Sequence, residues 1–292
     1  MGLDFYGRYS HAREIFDRAD AFLGFPLSRL CFQGPEKDLN SDLMAQLAVY
    51  TVSCGITEVL RAFGVGPEAV SGYSSGFYAA AFAAGCFDFE TGLQIVRRAG
   101  EIILDEGKKT QGRMAVIFGL SQEKVEKLCS RVGDVAVSIA NTPRQIIVSG
   151  LDPSVDKVME LAMAAEALDV YVLPAATAYH SRLLSPCTVR LLSEIKNNTI
   201  KDPRIPILSY ATLEAVPNGE ALKKVMAHQL SHPVRWVDVI RKLKNGDRLF
   251  IEIGPGAVLS RTVRWIDRRI KMMNTGTVEA LMKALEHMEH SG

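Results

Sequence analysis

The residues Gly72-Tyr73-Ser74-Ser75-Gly76 form a G-x-S-x-G pentad. Set between a strand and a helix, this spacing suits a nucleophilic serine. A tight strand-to-helix turn holds the central serine in a strained backbone conformation, and the flanking glycines let neighbouring main chain pass closely. The Ser74 hydroxyl then lies at a helix N-terminus, where the dipole and free N–H groups favour developing negative charge. The N–H of Ser75, the residue after the nucleophile, is the natural oxyanion donor. Glycine–serine turns without chemistry use the same residues, so the strand–turn–helix setting carries the assignment.

A serine needs a base. The chain has six histidines. His287 and His290 lie in a polar tail, His11 in a polar N-terminal stretch, and His228 and His232 flank a helix end before Pro233. His180 stands in Ala178-Tyr179-His180-Ser181, at a junction between two expected domains, where clefts form. A lone histidine there is usually structural. Beside an elbow serine it is the best candidate for the base.

The elements that must position these residues alternate helix and strand. Apolar spacing predicts helices over 12–23, 42–63 and 89–106, a strand over Ala69–Gly72 and a small-residue helix over Phe77–Gly85. From Met114 the pattern shortens to strand (114–118), helix (122–131), strand (135–140), a turn at Asn141-Thr142-Pro143, strand (145–149), helix and strand (169–173). Asp152-Pro153 reads as the start of the second helix, with Asp152 as its cap. This β-α-β-β-α-β order is a ferredoxin-like unit. It reads as an insert, residues 112–175, in a larger α/β domain formed by 1–111 and 176–292. Further strands are expected at Ile205–Leu208 and Arg248–Glu252, and a basic amphipathic helix over Ala257–Arg269.

Composition narrows the classes. With 292 residues, 48% hydrophobic and 23% charged, the chain is ordinary globular material. Its 34 basic and 33 acidic residues leave a net charge of +1, which argues against a general nucleic-acid or anionic-membrane binder. The longest unbroken apolar run is about ten residues, against the ~20 a bilayer span needs. No signal-like segment opens the chain, so a cytoplasmic address is expected. Cys31, Cys54, Cys86, Cys129 and Cys187 are scattered and odd in number, which reads as reduced thiols and not a zinc or disulfide framework. No metal or redox cofactor is implied.

With these motifs in place, the chain resembles the malonyl-CoA:acyl-carrier-protein transacylase family, including the acyltransferase domains of polyketide synthases. The resemblance runs over nearly the whole chain. It rests on Gln46, Gly72–Gly76, Gly112–Leu120, Asn141–Gly150, Tyr179-His180-Ser181, Gln229 with Pro233–Trp236, and Glu252-Ile253-Gly254-Pro255-Gly256. It implies an α/β-hydrolase-like core with a ferredoxin-like subdomain. It also implies ping-pong acyl transfer from a CoA thioester to the phosphopantetheine thiol of an acyl carrier protein. Ser74 would be acylated, His180 would move the proton, and the main-chain carbonyl of Gln229 would orient His180 in place of a third carboxylate.

The sequence also departs from the family. Met1-Gly2-Leu3 resembles the middle of a Gly-Met-Gly segment. The family's preceding strand and Gly-Gln-Gly-Ser-Gln loop, source of a second oxyanion donor, are not in this sequence. Such a donor is typically worth ~10²–10³ in rate. Either the start lies further upstream or the chain is a truncated paralogue. The arginine that pairs with the malonyl carboxylate falls, by ungapped counting, at Ala99. Arg98 is its neighbour, about 100° away on a helix, and Arg97 and Arg98 read as solvent or phosphate contacts unless an adjustment brings Arg98 into the site. Tyr73 replaces a histidine, Phe77 an acidic residue, and Leu47 a proline. With Asn141, the residues Tyr73, Phe77 and Ala99 mark the expected substrate pocket, which these changes make more apolar. A buried carboxylate without its partner is disfavoured, so an uncharged acyl group fits better than malonyl. Two alternatives stay open: a hydrolase that clears acyl carrier proteins, and a catalytically impaired carrier-binding paralogue. Arg261, Arg264, Arg268, Arg269 and Lys271 form a basic group that suits an acidic carrier, CoA phosphates or solvent alone.

Overall fold

Short runs of inward-pointing apolar residues build one antiparallel sheet between Gly112 and Val172. The computed structural model describes every residue except Ala176, Asn245 and Gly292, and only the main chain of Ser291. The expected resumption of the larger domain at residue 176 falls outside the described residues. The sheet contains β1 (Gly112–Phe118), β2 (Val135–Thr142), β3 (Gln145–Leu151) and β4 (Asp169–Val172), in the spatial order β2-β3-β1-β4. Met114–Ile117 of β1 are buried, with Val116 opposite Ile147 of β3 and Tyr171 of β4. Helices Gln122–Val132 and Asp152–Ala164 each bury one stripe: Val125, Leu128 and Cys129 in the first, and Val155, Val158 and Ala162 in the second.

Two local expectations are corrected here. Asp152 is not the cap of its helix; Leu151 is, and Asp152 is the first helical residue. Arg113 on β1 takes the carboxylate instead, with Nε 3.2 Å from Oδ1. A charged partner one strand away outcompetes the helix's own N–H groups, while Asp152 still faces the positive end of the dipole. The hairpin turn also lies later than expected. β2 runs on to Thr142, which pairs with Gln145, and a register shift between Ala140 and Thr142 puts Asn141 at a bulge.

The chain divides into two compact units: Met1–Arg97 with Lys201–Ile207 and Lys244–Gly292, and Arg98–Ile200 with Leu208–Leu243. The second holds the sheet and the helices Ser185–Ile195, Gly219–His228 and Trp236–Leu243. Its β2 is tied to a distant segment: the Val234 N–H donates to the Ser138 carbonyl at 2.8 Å, and the Ala140 N–H donates to the Val234 carbonyl at 3.2 Å.

The first unit is built on the helices Ser10–Leu23, Asp42–Ala62 and Gly76–Ala83. Tyr6, Phe16 and Phe32 cluster at ring distances of 5.0–5.9 Å. Gly55 of the helix Asp42–Ala62 lies beside Ala12, where a Cβ would make ordinary contact at 3.6 Å from the Ala12 Cα. By length and composition this 21-residue helix is apolar enough to cross a membrane, but 67% of its apolar window is buried inside the protein. Counting unbroken apolar runs missed it because Thr51, Ser53 and Gly55 interrupt the run.

The strands expected at 69–72 and 205–208 do not form ladders. Val70 makes a single parallel bridge to Ile207, and Leu208 a single antiparallel bridge to Ala215. Pro203 and Pro206 remove two donors from this stretch, and the Pro206 carbonyl takes the Val70 N–H at 2.9 Å. The regular parallel pair in this unit is β5 (Leu249–Glu252) with β6 (Lys271–Asn274), joined through the helix Val258–Ile266. That helix is shorter than the expected 257–269. Its C-cap Asp267 is extended, and the Asp267 carboxylate accepts the Arg269 N–H at 2.9 Å.

Candidate active site

The turn at Ser74 is shaped by its immediate neighbours. Ser74 has φ of 51°, left-handed backbone that a non-glycine residue seldom adopts. Gly72 is required beside it: a Cβ there would lie 2.3 Å from both N and Cα of Phe77 and 2.4 Å from the Gly76 carbonyl carbon. The turn closes through Gly76 N–H to the Tyr73 carbonyl (2.9 Å) and Phe77 N–H to the Ser74 carbonyl (3.0 Å). Ser75 then caps the helix Gly76–Ala83 in right-handed conformation. Residues Phe77 to Phe82 of that helix are all buried, so its N-terminus is held rigidly. Ser74, Tyr73 and Ser75 are half-buried, and Phe77 is fully buried. Among the described residues, the Ser75 N–H meets no main-chain acceptor. It is an unpaired donor one residue past the serine, at the positive end of a helix.

His180 is held differently. It too is left-handed, with φ of 56°, and it is buried. Its Nδ1 lies 3.0 Å from the Gln229 carbonyl and 3.2 Å from the His232 carbonyl. A carbonyl only accepts, so Nδ1 carries the proton and Nε2 carries the lone pair. Burial pushes the His180 pKa down to about 4, while the two carbonyls pull the other way. The imidazole is therefore neutral at pH 7 and competent to take a proton. The edge of Tyr210 packs on the ring at 6.1 Å, and the Tyr210 hydroxyl donates to the same Gln229 carbonyl at 3.4 Å.

Both acceptors are free for a reason written in the backbone. Gln229 is the C-cap of the helix Gly219–His228, and the last carbonyls of a helix have no partner within it. His232 precedes Pro233, which drives it out of helical conformation. The side-chain amide of Gln229 is buried with neither end hydrogen-bonded among the described residues, so the main chain does the orienting. The sequence reading found Gln229 but missed His232 and Tyr210. The pre-proline position was the available signal for His232, whereas nothing in the sequence marks Tyr210.

The remaining candidates divide. Ala99 is fully buried on the helix Phe89–Gly107. Asn141 is half-buried at the β2 bulge. Gln46 is half-buried near the start of the helix Asp42–Ala62. Arg98 keeps 41% of its side chain in solvent, with its Nε 2.6 Å from Glu194 and a second nitrogen paired with Glu101. Two carboxylates already satisfy that guanidinium. His11, His287 and His290 are exposed. The five cysteines are free and buried, and burial raises their thiol pKa values. Among the described residues, no group of three or more His, Cys, Asp or Glu side chains is placed to hold a metal ion.

Known proteins resemble this chain over most of its length. Residues 1–284 match the family model described as acyl transferase domain. The chain is 31% identical to the malonyl CoA-acyl carrier protein transacylase of Bacillus subtilis, across 99% of this chain and 93% of that protein. It is 34% identical to the polyketide biosynthesis malonyl CoA-acyl carrier protein transacylase PksC of Bacillus subtilis, across 91% of this chain and 93% of that protein. Among solved structures, a malonyl-transacylase in complex with its type II polyketide synthase acyl-carrier protein superposes with a TM-score of 0.93 at 27% identity. That match covers 98% of this chain and 94% of the other.

Proposed function

This chain belongs to the acyl transferase domain family and is an acyltransferase; from that premise we propose that it moves an acyl group from a CoA thioester to the phosphopantetheine thiol of an acyl carrier protein through acyl-Ser74. The observation that carries the reading is the commitment of His180 Nδ1 to two carbonyls, which leaves Nε2 as a neutral base. In the first half-reaction Ser74 Oγ attacks the thioester carbonyl and its proton passes to His180 Nε2. The carbonyl oxygen becomes an oxyanion, for which the Ser75 N–H is a donor. The intermediate collapses, the C–S bond breaks, and His180 returns the proton to the departing CoA sulfur. In the second half-reaction the carrier thiol gives its proton to Nε2 and attacks acyl-Ser74. The C–O bond breaks and the proton returns to Ser74 Oγ. The two carbonyls stabilise the imidazolium each time it forms without adding a buried anion.

For the acyl group, the reading favours an uncharged chain over the malonyl named for the relatives. The position where the resemblance puts the carboxylate's arginine is Ala99, and the neighbouring Arg98 is held by Glu101 and Glu194. Tyr73, Phe77 and Asn141 complete the proposed pocket. The proposed architecture is an α/β-hydrolase-like core with a ferredoxin-like subdomain over 112–175, which the β2-β3-β1-β4 order supports. The proposed setting is cytoplasmic fatty-acid or polyketide synthesis, and the name of the relative PksC supports the polyketide part.

The test is intact-mass measurement after incubation with malonyl-, acetyl- and octanoyl-CoA. An acyl adduct is expected with an uncharged donor and is lost on Ser74→Ala. Absence of any adduct overturns the serine mechanism, and a malonyl adduct alone overturns the specificity. Rapid release of free acid without a thiol acceptor identifies a hydrolase.

A further inference from the structure

The helix Gly219–His228 ends beside His180, and its last carbonyls are shared out unevenly. The final carbonyls of any helix lack partners within it. Here the Ala227 carbonyl accepts from Thr188 Oγ1 at 3.2 Å, and the His228 carbonyl accepts from His232 Nδ1 at 2.7 Å. The tightened last turn adds main-chain donors to the same two oxygens, the Leu230 N–H at 3.3 Å and the Ser231 N–H at 3.1 Å. The next carbonyl, that of Gln229, meets no main-chain donor among the described residues and is taken by His180 and Tyr210. Side chains thus help to close the helix at 227 and 228, and 229 is left for the base.

One placement of protons satisfies every member of this group. His232 Nδ1 faces a carbonyl, so it carries a proton and donates it to His228. Ser231 Oγ lies 2.9 Å from Thr188 Oγ1; the serine donates to the threonine, which donates on to Ala227. Thr188 is buried on the helix Ser185–Ile195, eight residues after His180. The segment that bears the base therefore grips the carbonyl-bearing turn twice, through His180 Nδ1 and through Thr188 Oγ1. His232 supplies a third tie. Its ring is bonded to His228 while its own carbonyl accepts from His180 at 3.2 Å. That ring also stacks on the His228 ring at 5.5 Å with 17° between planes, which limits its rotation.

We propose that Thr188 and His232 are positioning residues: their side chains fix the 227–232 turn so that the Gln229 and His232 carbonyls hold the His180 proton on Nδ1. The proposal rests on the acyl-transfer reading for its kinetic consequence and not for its geometry. A turn free to rotate presents its carbonyls to the imidazole less often. An imidazole with its proton on Nε2 has no lone pair there to receive the Ser74 proton. Both residues act through His180 and not on the substrate.

The experiment uses the whole protein and two variants. Thr188→Val keeps the side-chain shape and removes the hydroxyl, and His232→Phe keeps a ring and removes its donor. Histidine 15N–1H NMR without substrate reads the tautomer, with the His180 signals assigned by their loss in His180→Asn. Each variant is expected to turn a single Nδ1–H tautomer into a mixture. Each is also expected to slow acyl-Ser74 formation about tenfold at unchanged KM for acyl-CoA, part of the ~10²–10⁴ that a positioned base contributes. Thr188→Ser returns the hydroxyl and is expected to restore both readouts. Ser185→Ala, which removes a hydroxyl bonded to the Arg182 carbonyl on the same helix, is expected to leave both unchanged. A His180 tautomer unmoved in both variants overturns the proposal, as does a loss of rate that Thr188→Ser fails to restore. The NMR arm decides the positioning role whether or not acyl-Ser74 forms, whereas absence of the adduct in the unmodified sequence counts against the acyl-transfer reading alone.

Discussion

The turn around Ser74 and the cradle around His180 both hold a left-handed, non-glycine residue, yet they hold it by opposite means. The turn is local: Gly72, Tyr73, Gly76 and Phe77 shape it, and its hydrogen bonds span three residues. The cradle is remote, since its two carbonyls lie 49 and 52 residues further along the chain. Left-handed strain is sustained only where surroundings over-determine it. At Ser74 a buried helix supplies that constraint from the adjacent residues. At His180 a helix end, a proline and a sheet edge supply it together, through Val234 bonded to β2. The posture of the proposed nucleophile is thus set locally, whereas the protonation state of the proposed base needs the assembled interior.

The sharpest way to break this comparison is to remove the base. His180→Ala is expected to slow acyl-Ser74 formation by about 10²–10⁴-fold while the fold persists, read by quench-flow mass spectrometry. A loss under tenfold makes the cradle structural. Next in size is the local turn. Gly72→Ala puts a Cβ against the Phe77 main chain and should lower stability by about 3 kcal/mol in urea unfolding, with no acyl adduct. An unchanged midpoint would mean that the turn is not closely packed.

The cradle also predicts a pH signature. Folding lowers the His180 pKa from 6.5 to about 4, so between those values the unfolded chain binds a proton that the folded chain does not. Stability from this group is present above pH 6.5 and falls by up to about 3 kcal/mol as pH drops to 4. His180→Asn should flatten that part of the unfolding profile, and a slope unchanged by the variant refutes the shift. The smallest effect is Ser74→Gly. Glycine accepts φ of 51° without strain, so stability should rise by about 1 kcal/mol as acylation is abolished. A loss of stability would show that the Ser74 hydroxyl, not the backbone, holds the turn.

Much of this was legible beforehand, for identifiable reasons. Helix Gly76–Ala83, the strands of the 112–172 sheet and their two amphipathic helices follow from apolar spacing and from glycines at the turn. The strands expected at 69–72 and 205–208 were not real ladders, because apolar content says nothing about where Pro203 and Pro206 withdraw donors. Asp152 was misjudged because its partner, Arg113, lies on another element. His232 and Tyr210 went unseen at the site because they act through main-chain oxygen and ring packing, neither of which leaves a compositional mark.

By itself, the order of residues determined the bend at Ser74, the proposed nucleophile, since that bend depends on atoms within a few peptide units. Folding alone decided that His180 would be neutral, that Nδ1 would carry its proton, and that Arg98 would be engaged by two glutamates. Each of those outcomes is set by desolvation and by partners brought from far along the chain, and no local pattern encodes how much water a side chain will keep.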